Sequence, residues 1–256
     1  MTDRPSQPVA DLARRRQSCG FCALESLCLP ASVTGSDLKR IDELVQQRLP
    51  MDRGKCLFHE GAPFHALFVV RTGSFKSYTV LPDGSAQVLG FHLPGEILGV
   101  DALDQERHQC TVEALERSSV CEVPFVRLHA VSAEVPGFQR QLYRVIGREF
   151  VREQQHTAMM GRKQAMERIA AFLKSLSDRR RALGLDHAVF TLSMSRHDIG
   201  NFLGLVVETV SRLFTKLATQ GVIEVNNKEL RILNFDALHA LCGEVPDKHE
   251  AGCARA

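Results

Sequence analysis

The chain has 256 residues, 44% hydrophobic and 24% charged, with a formal net charge of +2. That length has room for two domains, since single domains usually run about 100–200 residues. No apolar run approaches the roughly 18 residues of a membrane span, and MTDRPSQPVADLARRRQ holds no apolar leader, so a cytoplasmic protein without a membrane partner is expected. The charge is unevenly spread. Residues 161–231 hold 12 Lys and Arg against 7 Asp and Glu, whereas residues 34–160 hold 14 against 16. A locally basic segment suits a phosphate-bearing partner.

Taken in chain order, residues 1–33 are rich in Arg, Pro and Cys and show no sustained period. Cys19, Cys22 and Cys28 form C-x2-C-x5-C in this arm. Its few apolar neighbours offer these thiols no core to pack into, so the trio reads as ligands. Eight cysteines in a chain without a leader argue for metal or redox chemistry over a disulfide framework. A tetrahedral zinc site or a four-iron cluster needs a fourth thiolate. Cys56, Cys110, Cys121, Cys242 and Cys253 are the candidates, and spacing does not choose among them.

Leu38, Ile41, Leu44 and Val45 share one face of a helix predicted over Gly35 to Arg48. From Met51 to Val126 short β-prone runs such as HALFVVRTG and SFKSYTVL alternate with glycines, the texture of a small antiparallel barrel or roll. Pro82-Asp83-Gly84 is a turn, proline presetting one backbone angle and glycine accepting a positive one. Pro136 opens a helix expected from Phe138 to Gly161. Within it Tyr143, Ile146, Phe150, Glu153, Thr157 and Met160 recur at alternating spacings of three and four, a coiled-coil seam that calls for a partner helix. Glu153 places a carboxylate where a hydrophobe belongs. A further helix covers Gln164 to Arg181, with Ile169, Phe172, Leu173 and Leu176 inward.

Residues 193 to 221 read as two short helices joined by a tight turn. Ser195 stands at an N-cap, with Asp198 three residues later as the acid of a capping box. Ile199 and Leu203 form a buried face, and Gly204 ends the helix in a left-handed turn. The second helix buries Val207, Val210, Phe214 and Leu217, which leaves Glu208, Ser211, Arg212 and Thr215 facing outward together. Arginine donates two hydrogen bonds to guanine and glutamate accepts from cytosine, each good pairing discriminating by roughly 1–3 kcal/mol. Lys216 suits a phosphate, and Ser195 and Thr209 complete the candidate DNA-binding set. A plain helical hairpin with a solvated face would share this amphipathic pattern. Asn226-Asn227 then separates two β-prone runs, a hairpin wing beside the reading helix. The fold class expected is α+β. It comprises a cysteine-rich arm (1–33), a β-roll (34–136), a dimerisation helix (137–161), a winged helix-turn-helix (162–242) and a tail (243–256).

The segments CGFCALESLC, GSFKSYTVLPDG, GFHLPGEILG, VCEVPF and MSRHDIGNFLGLVVETVSRL together resemble the FNR family. These are the oxygen-responsive fumarate-and-nitrate-reduction regulators within the cyclic-AMP-receptor superfamily, and the similarity runs from Gln17 to Leu241. The resemblance implies a transcription regulator, not an enzyme, whose roll is of the cyclic-nucleotide-binding type. It implies a [4Fe–4S] cluster held by Cys19, Cys22, Cys28 and Cys121, the last from VCEVPF, with Cys110 off the ligand position. It also implies base reading by Glu208, Ser211 and Arg212 on palindromic double-stranded DNA built of TTGAT half-sites. A cluster-loaded homodimer, an acidic residue at 153 that opposes association until the cluster forms, and an RNA polymerase contact near Asp83 and Gly84 complete the set.

Two departures stand out. Val206 replaces the threonine often found at the start of the reading helix. His108-Gln109-Cys110-Thr111 lacks the arginine with which nucleotide-binding relatives hold the cyclic phosphate, although Gly95-Glu96 resembles the rest of that pocket. No cyclic nucleotide is therefore expected. The same fold sensing redox state through zinc or thiol–disulfide chemistry is the alternative. An enzyme finds no Walker-type or dinucleotide glycine loop to support it.

Overall fold

The computed structural model describes residues 19, 22, 24, 28–31, 33, 36–47 and 50–243. The chain divides into two compact units, 1–152 and 153–256, with the division inside one long helix.

The first unit is a roll with helices on one side. After α1 (Ser36–Leu44) come β1 (Gln46–Gln47), β2 (Cys56–Phe58), β3 (Ala66–Thr72), β4 (Phe75–Val80), β5 (Ala86–His92), β6 (Ile97–Leu98), β7 (Thr111–Ala114) and β8 (Ser119–Pro124). They build two antiparallel sheets, ordered β1-β8-β3-β6 and β2-β7-β4-β5. Then follow α2 (Phe125–Glu134) and the long α3 (Pro136–Arg162), with Pro136 in the first helical position, where its missing N–H costs nothing.

Strand β3 is buried at five consecutive positions because both of its faces are covered. Ala66, Phe68 and Val70 join Phe75, Val112 and Val120 in the core between the sheets. Leu67 and Val69 point the other way, into a second core with Ile41, Leu44, Leu128, Phe138 and Leu142 from the helices. On β8 the same two-residue period puts Val120 in the first core and Cys121 and Val123 against the second.

Helix α1 stops at Leu44 instead of running to Arg48. Gln46 and Gln47 leave it to pair with Glu122 and Cys121 as an edge strand, and Gly35 and Arg48 lie outside the described residues.

The second unit holds the end of α3, α4 (Ala165–Ala182), β9 (Val189–Thr191), α5 (Arg196–Leu203), α6 (Val207–Thr219), β10 (Ile223–Asn226), β11 (Glu229–Ile232) and α7 (Phe235–Leu241). Its core gathers the expected faces: Ile169, Phe172, Leu173 and Leu176 of α4, Ile199 and Leu203 of α5, and Val210, Phe214 and Leu217 of α6. Val207 is only half-buried. The wing is a three-stranded sheet, β10-β11-β9. Its turn is Asn227-Lys228, one residue later than the sequence suggests, because Asn226 pairs with Glu229 inside the ladder. Asn227 takes φ +55, a left-handed conformation that asparagine tolerates. Among the described residues no helix is long and apolar enough to cross a membrane.

Candidate functional site

The two-helix motif is built as its sequence requires. The Ser195 hydroxyl accepts from Asp198 N at 3.0 Å, and the Asp198 carboxylate accepts from Ser195 N at 3.0 Å, closing the capping box. The same hydroxyl donates to Asp198 Oδ2 at 2.5 Å, so Ser195 is engaged inside the chain. Gly204 ends α5 at φ +63. At Gly200 a Cβ would lie 2.5 Å from the Leu205 carbonyl oxygen, so the missing side chain lets the turn close over α5.

On α6, Glu208, Ser211, Arg212, Thr215 and Lys216 are exposed and Thr209 is half-buried. Arg212 Nη2 lies 3.4 Å from Thr209 Oγ1. The Ser211 and Thr215 hydroxyls donate to the carbonyls four residues back, at 3.0 and 3.1 Å. Val206 caps α6 with extended backbone but no side-chain bond, leaving a helix N-terminus without its usual acceptor. Val206→Thr is expected to stabilise this unit by about 1 kcal/mol, the worth of a hydroxyl cap. Thermal melting checks it, and an unchanged midpoint would reject the cap as a weak point.

In the first unit Cys19, Cys22, Cys28 and Cys121 border one small pocket, lined also by Leu24, Leu29, Val69, Arg71 and Val123. Cys19 N donates to Asp42 Oδ1 of α1 at 2.6 Å, and Gln141 Nε2 of α3 donates to the Cys28 carbonyl at 3.0 Å. Burial pushes the Cys28 thiol up to about 12, partly opposed by the Leu29 backbone. It pushes Cys121 up to about 11 against the pull of Arg71. Cys19 is raised further by burial and by Asp42.

The other cysteines stand elsewhere. Cys110 belongs to the core between the sheets and donates to Asp101 Oδ2 at 3.5 Å. Cys242 is buried and bonded to the Leu238 carbonyl, and Cys56 sits in β2. Cys253 lies outside the described residues. The described cysteines are free thiols, and among the described residues no three His, Cys, Asp or Glu side chains converge as one metal ion would require.

The seam of α3 is largely uncovered. Tyr143 is 63% exposed and Phe150 62%, while Glu153 and Thr157 are exposed and Ile146 and Met160 half-buried. The opposite face of the helix buries Phe138, Leu142 and Val145 in the second core. Two large rings left in water on one stripe are what an interface leaves in a single chain.

Glu96, in the segment that resembles part of a nucleotide pocket, is engaged internally. Glu96 accepts from Leu93 N at 2.9 Å and pairs with Arg152 at 3.0 Å, and Arg152 also reaches Glu149 at 2.6 Å. His108, in the stretch 108–111 that holds no arginine, is buried against the Phe58 ring at 3.6 Å. Burial lowers its pKa, with Asp101 opposing, which disfavours a cation there. Asp83 and Gly84 form the exposed tip of the β4–β5 hairpin, Gly84 at φ +83. Two bonds from Ser85 hold the Asp83 carboxyl below its ordinary pKa.

Comparison with known proteins agrees with this architecture. A family model described as the cyclic nucleotide-binding domain matches residues 48–134, and one described as the Crp-like helix-turn-helix domain matches residues 167–241. The chain is 42% identical to the transcriptional activator protein FnrA of Stutzerimonas stutzeri, over 94% of this chain and 99% of that protein. It is 44% identical to the transcriptional activator protein Anr of Pseudomonas aeruginosa, over 88% and 92%. With the fumarate and nitrate reduction regulatory protein of Salmonella typhimurium it shares 37% identity, over 92% and 97%. Among solved structures, FixK2 of Bradyrhizobium japonicum superposes with a TM-score of 0.71 at 31% identity, covering 78% of this chain and 98% of that one. A roll of cyclic-nucleotide-binding type, a long helix with an open seam and a capped reading hairpin, matched nearly end to end by such regulators, place the chain in the CRP/FNR family of DNA-binding transcription regulators, alongside the FnrA, Anr and Fnr proteins.

Proposed function

We propose that this regulator senses oxygen through a [4Fe–4S] cluster held by Cys19, Cys22, Cys28 and Cys121. Loading then promotes a homodimer that reads palindromic TTGAT-type sites in cytoplasmic DNA and controls genes of anaerobic metabolism. The observation that carries the reading is that Cys121, far along the chain, faces the same cavity as the three arm cysteines. The donor set fits the group: a four-iron cube takes one thiolate per iron, so its ligands need not converge on one point as they must for a single zinc. When bound, the cluster supplies oxygen-labile iron–sulfur bonds.

The chain's own residues do the rest. The four thiols give up their protons on loading, so uptake strengthens as pH rises. Gln141 ties the carbonyl of Cys28 to the dimerisation helix. Glu96, paired with Arg152, supports a roll that takes no cyclic nucleotide. The Asp83-Gly84 tip is the surface offered to RNA polymerase. Anaerobically isolated protein should be brown, with about four iron and four sulfide per chain, and should lose both iron and DNA binding in air. Colourless protein containing zinc would sink the cluster and support the alternative metal.

At the reading head, Arg212→Ala is expected to cost roughly 1–3 kcal/mol at the cognate site and to flatten discrimination at one base pair. Glu208→Ala should act alike at a neighbouring pair. Lys216→Ala should weaken all sequences about equally, as loss of a phosphate contact does. Titrations on cognate and random duplexes separate these outcomes. Equal losses on both for Arg212→Ala would reject base reading.

A further inference from the structure

Two helix ends of the second unit meet at one guanidinium. Arg168, in the first turn of α4, donates from Nε to the Lys163 carbonyl at 2.9 Å and from Nη2 to the Met160 carbonyl at 2.9 Å. Its Nη1 donates to the carbonyl of Leu203, the last residue of α5, at 3.1 Å. Carbonyls at a helix C-terminus have no intrahelical donor and carry partial negative charge, so one cation suits both ends.

A second contact joins the same two helices. The His156 ring of α3 stacks on Phe202 of α5, with centroids 4.0 Å apart and planes 5° off parallel. Its Nε2 donates to the Phe202 carbonyl at 3.0 Å. The Gly204 turn sits directly on this joint: a Cβ there would lie 2.8 Å from Met160 Cε and 3.5 Å from Arg168 Nη1. Helices α5 and α6 are closely packed at Gly200, where a Cβ would lie 2.5 Å from the Leu205 carbonyl oxygen and 3.3 Å from Val210 Cγ2.

We propose that Arg168 is a positioning residue for DNA recognition. By holding the end of α3 against the end of α5, it sets the angle of the reading helix on the last turns of α3, residues 153–162. That angle decides the half-site spacing that a two-fold dimer accepts. Arg168 touches no base in this role. The inference rests on the proposed reading of a palindrome by a dimer.

The test uses full-length, anaerobically isolated Arg168→Gln, with Arg168→Lys as a second variant that keeps a cation at the joint if the first does not fold. Fluorescence anisotropy compares palindromes at the native spacing with ones carrying an added or removed base pair between the half-sites. Arg168→Gln should bind the native site about tenfold more weakly, the worth of one charge-assisted hydrogen bond. Its preference between spacings should fall toward one. Discrimination against a substituted base within the half-site should stay at the wild-type ratio, because Glu208, Ser211 and Arg212 are untouched. A merely structural role would instead lower binding to every site in proportion.

Hydrogen exchange of the free protein gives a readout independent of DNA. Peptides covering 200–206 should exchange faster in the variant, with those of 211–219 unchanged. Unchanged exchange at 200–206, or a variant that keeps the wild-type spacing preference, would overturn the proposal. Wild-type protein indifferent to spacing would overturn the two-fold reading itself, a failure visible without any variant.

Discussion

Cys121→Ala is expected to take iron from about four per chain to near zero and to abolish anaerobic DNA binding, whereas Cys110→Ala leaves both intact. Outer partners of a metal site typically cost about 10–100-fold in affinity when removed, and losing a ligand outright costs more. The two cysteines are close in the sequence but lie against different cores. Cys121 sits against the helix-side core and borders the cavity shared with Cys19, Cys22 and Cys28. Cys110 packs between the sheets, with Asp101 accepting from its thiol. Iron and sulfide assays on the two variants decide the matter. Iron lost from Cys110→Ala and kept by Cys121→Ala would reverse the assignment.

Glu153→Ala is expected to give a dimer that binds DNA in air, with the wild-type chain expected to remain monomeric there. A seam containing Tyr143, Ile146, Phe150, Thr157 and Met160 gains modestly from burial, and association costs an estimated 4–15 kcal/mol of lost freedom. Against so narrow a margin, two carboxylates brought together across a two-fold axis, at several kcal/mol for their desolvation, decide the outcome. In the proposed mechanism the cluster offsets that cost through the arm: ligation at Cys28 is to be passed to α3 through the Gln141 bond to its carbonyl, and Phe150, 62% exposed in the single chain, is to become covered. Sedimentation of aerobic wild type and variant checks it. A wild-type apoprotein already dimeric, or a variant still monomeric, would refute the mechanism.

Much of the reading head was legible in the chain because its determinants are local. Ser195 with Asp198, Gly204, and the three-and-four spacing of Val210, Phe214 and Leu217 each act within a turn or two of helix, and the structure realises each of them. That Tyr143, Phe150, Glu153 and Thr157 lie exposed on one long helix was legible for the same reason. Short elements were not. β1 has two residues and β9 three, too few to display a period, and α2 opens after Pro124 without a side-chain cap. The wing turn slipped by one residue because both Asn226 and Asn227 suit a turn, and only the ladder pairing of Asn226 with Glu229 chooses between them.

Local pattern alone is enough for the α+β architecture, the outward set Glu208, Ser211 and Arg212, and the spacing of the cysteine trio. The expectation that these thiols find no core was wrong, because Leu29 and Val33 carry the arm into the helix-side core and Cys19 and Cys28 pack against it. Helical periodicity, capping chemistry and ligand spacing are short-range properties, readable without knowing what lies across the fold. Tertiary structure decided which of several distant cysteines meets that trio. The two-residue period of β8, pinned by pairing with β1 and β3, turns Cys121 toward the arm. Tertiary structure also decided what holds the reading head. Arg168 looks like any helical arginine in the sequence, and its role exists only because folding brings the ends of α3 and α5 to the same guanidinium.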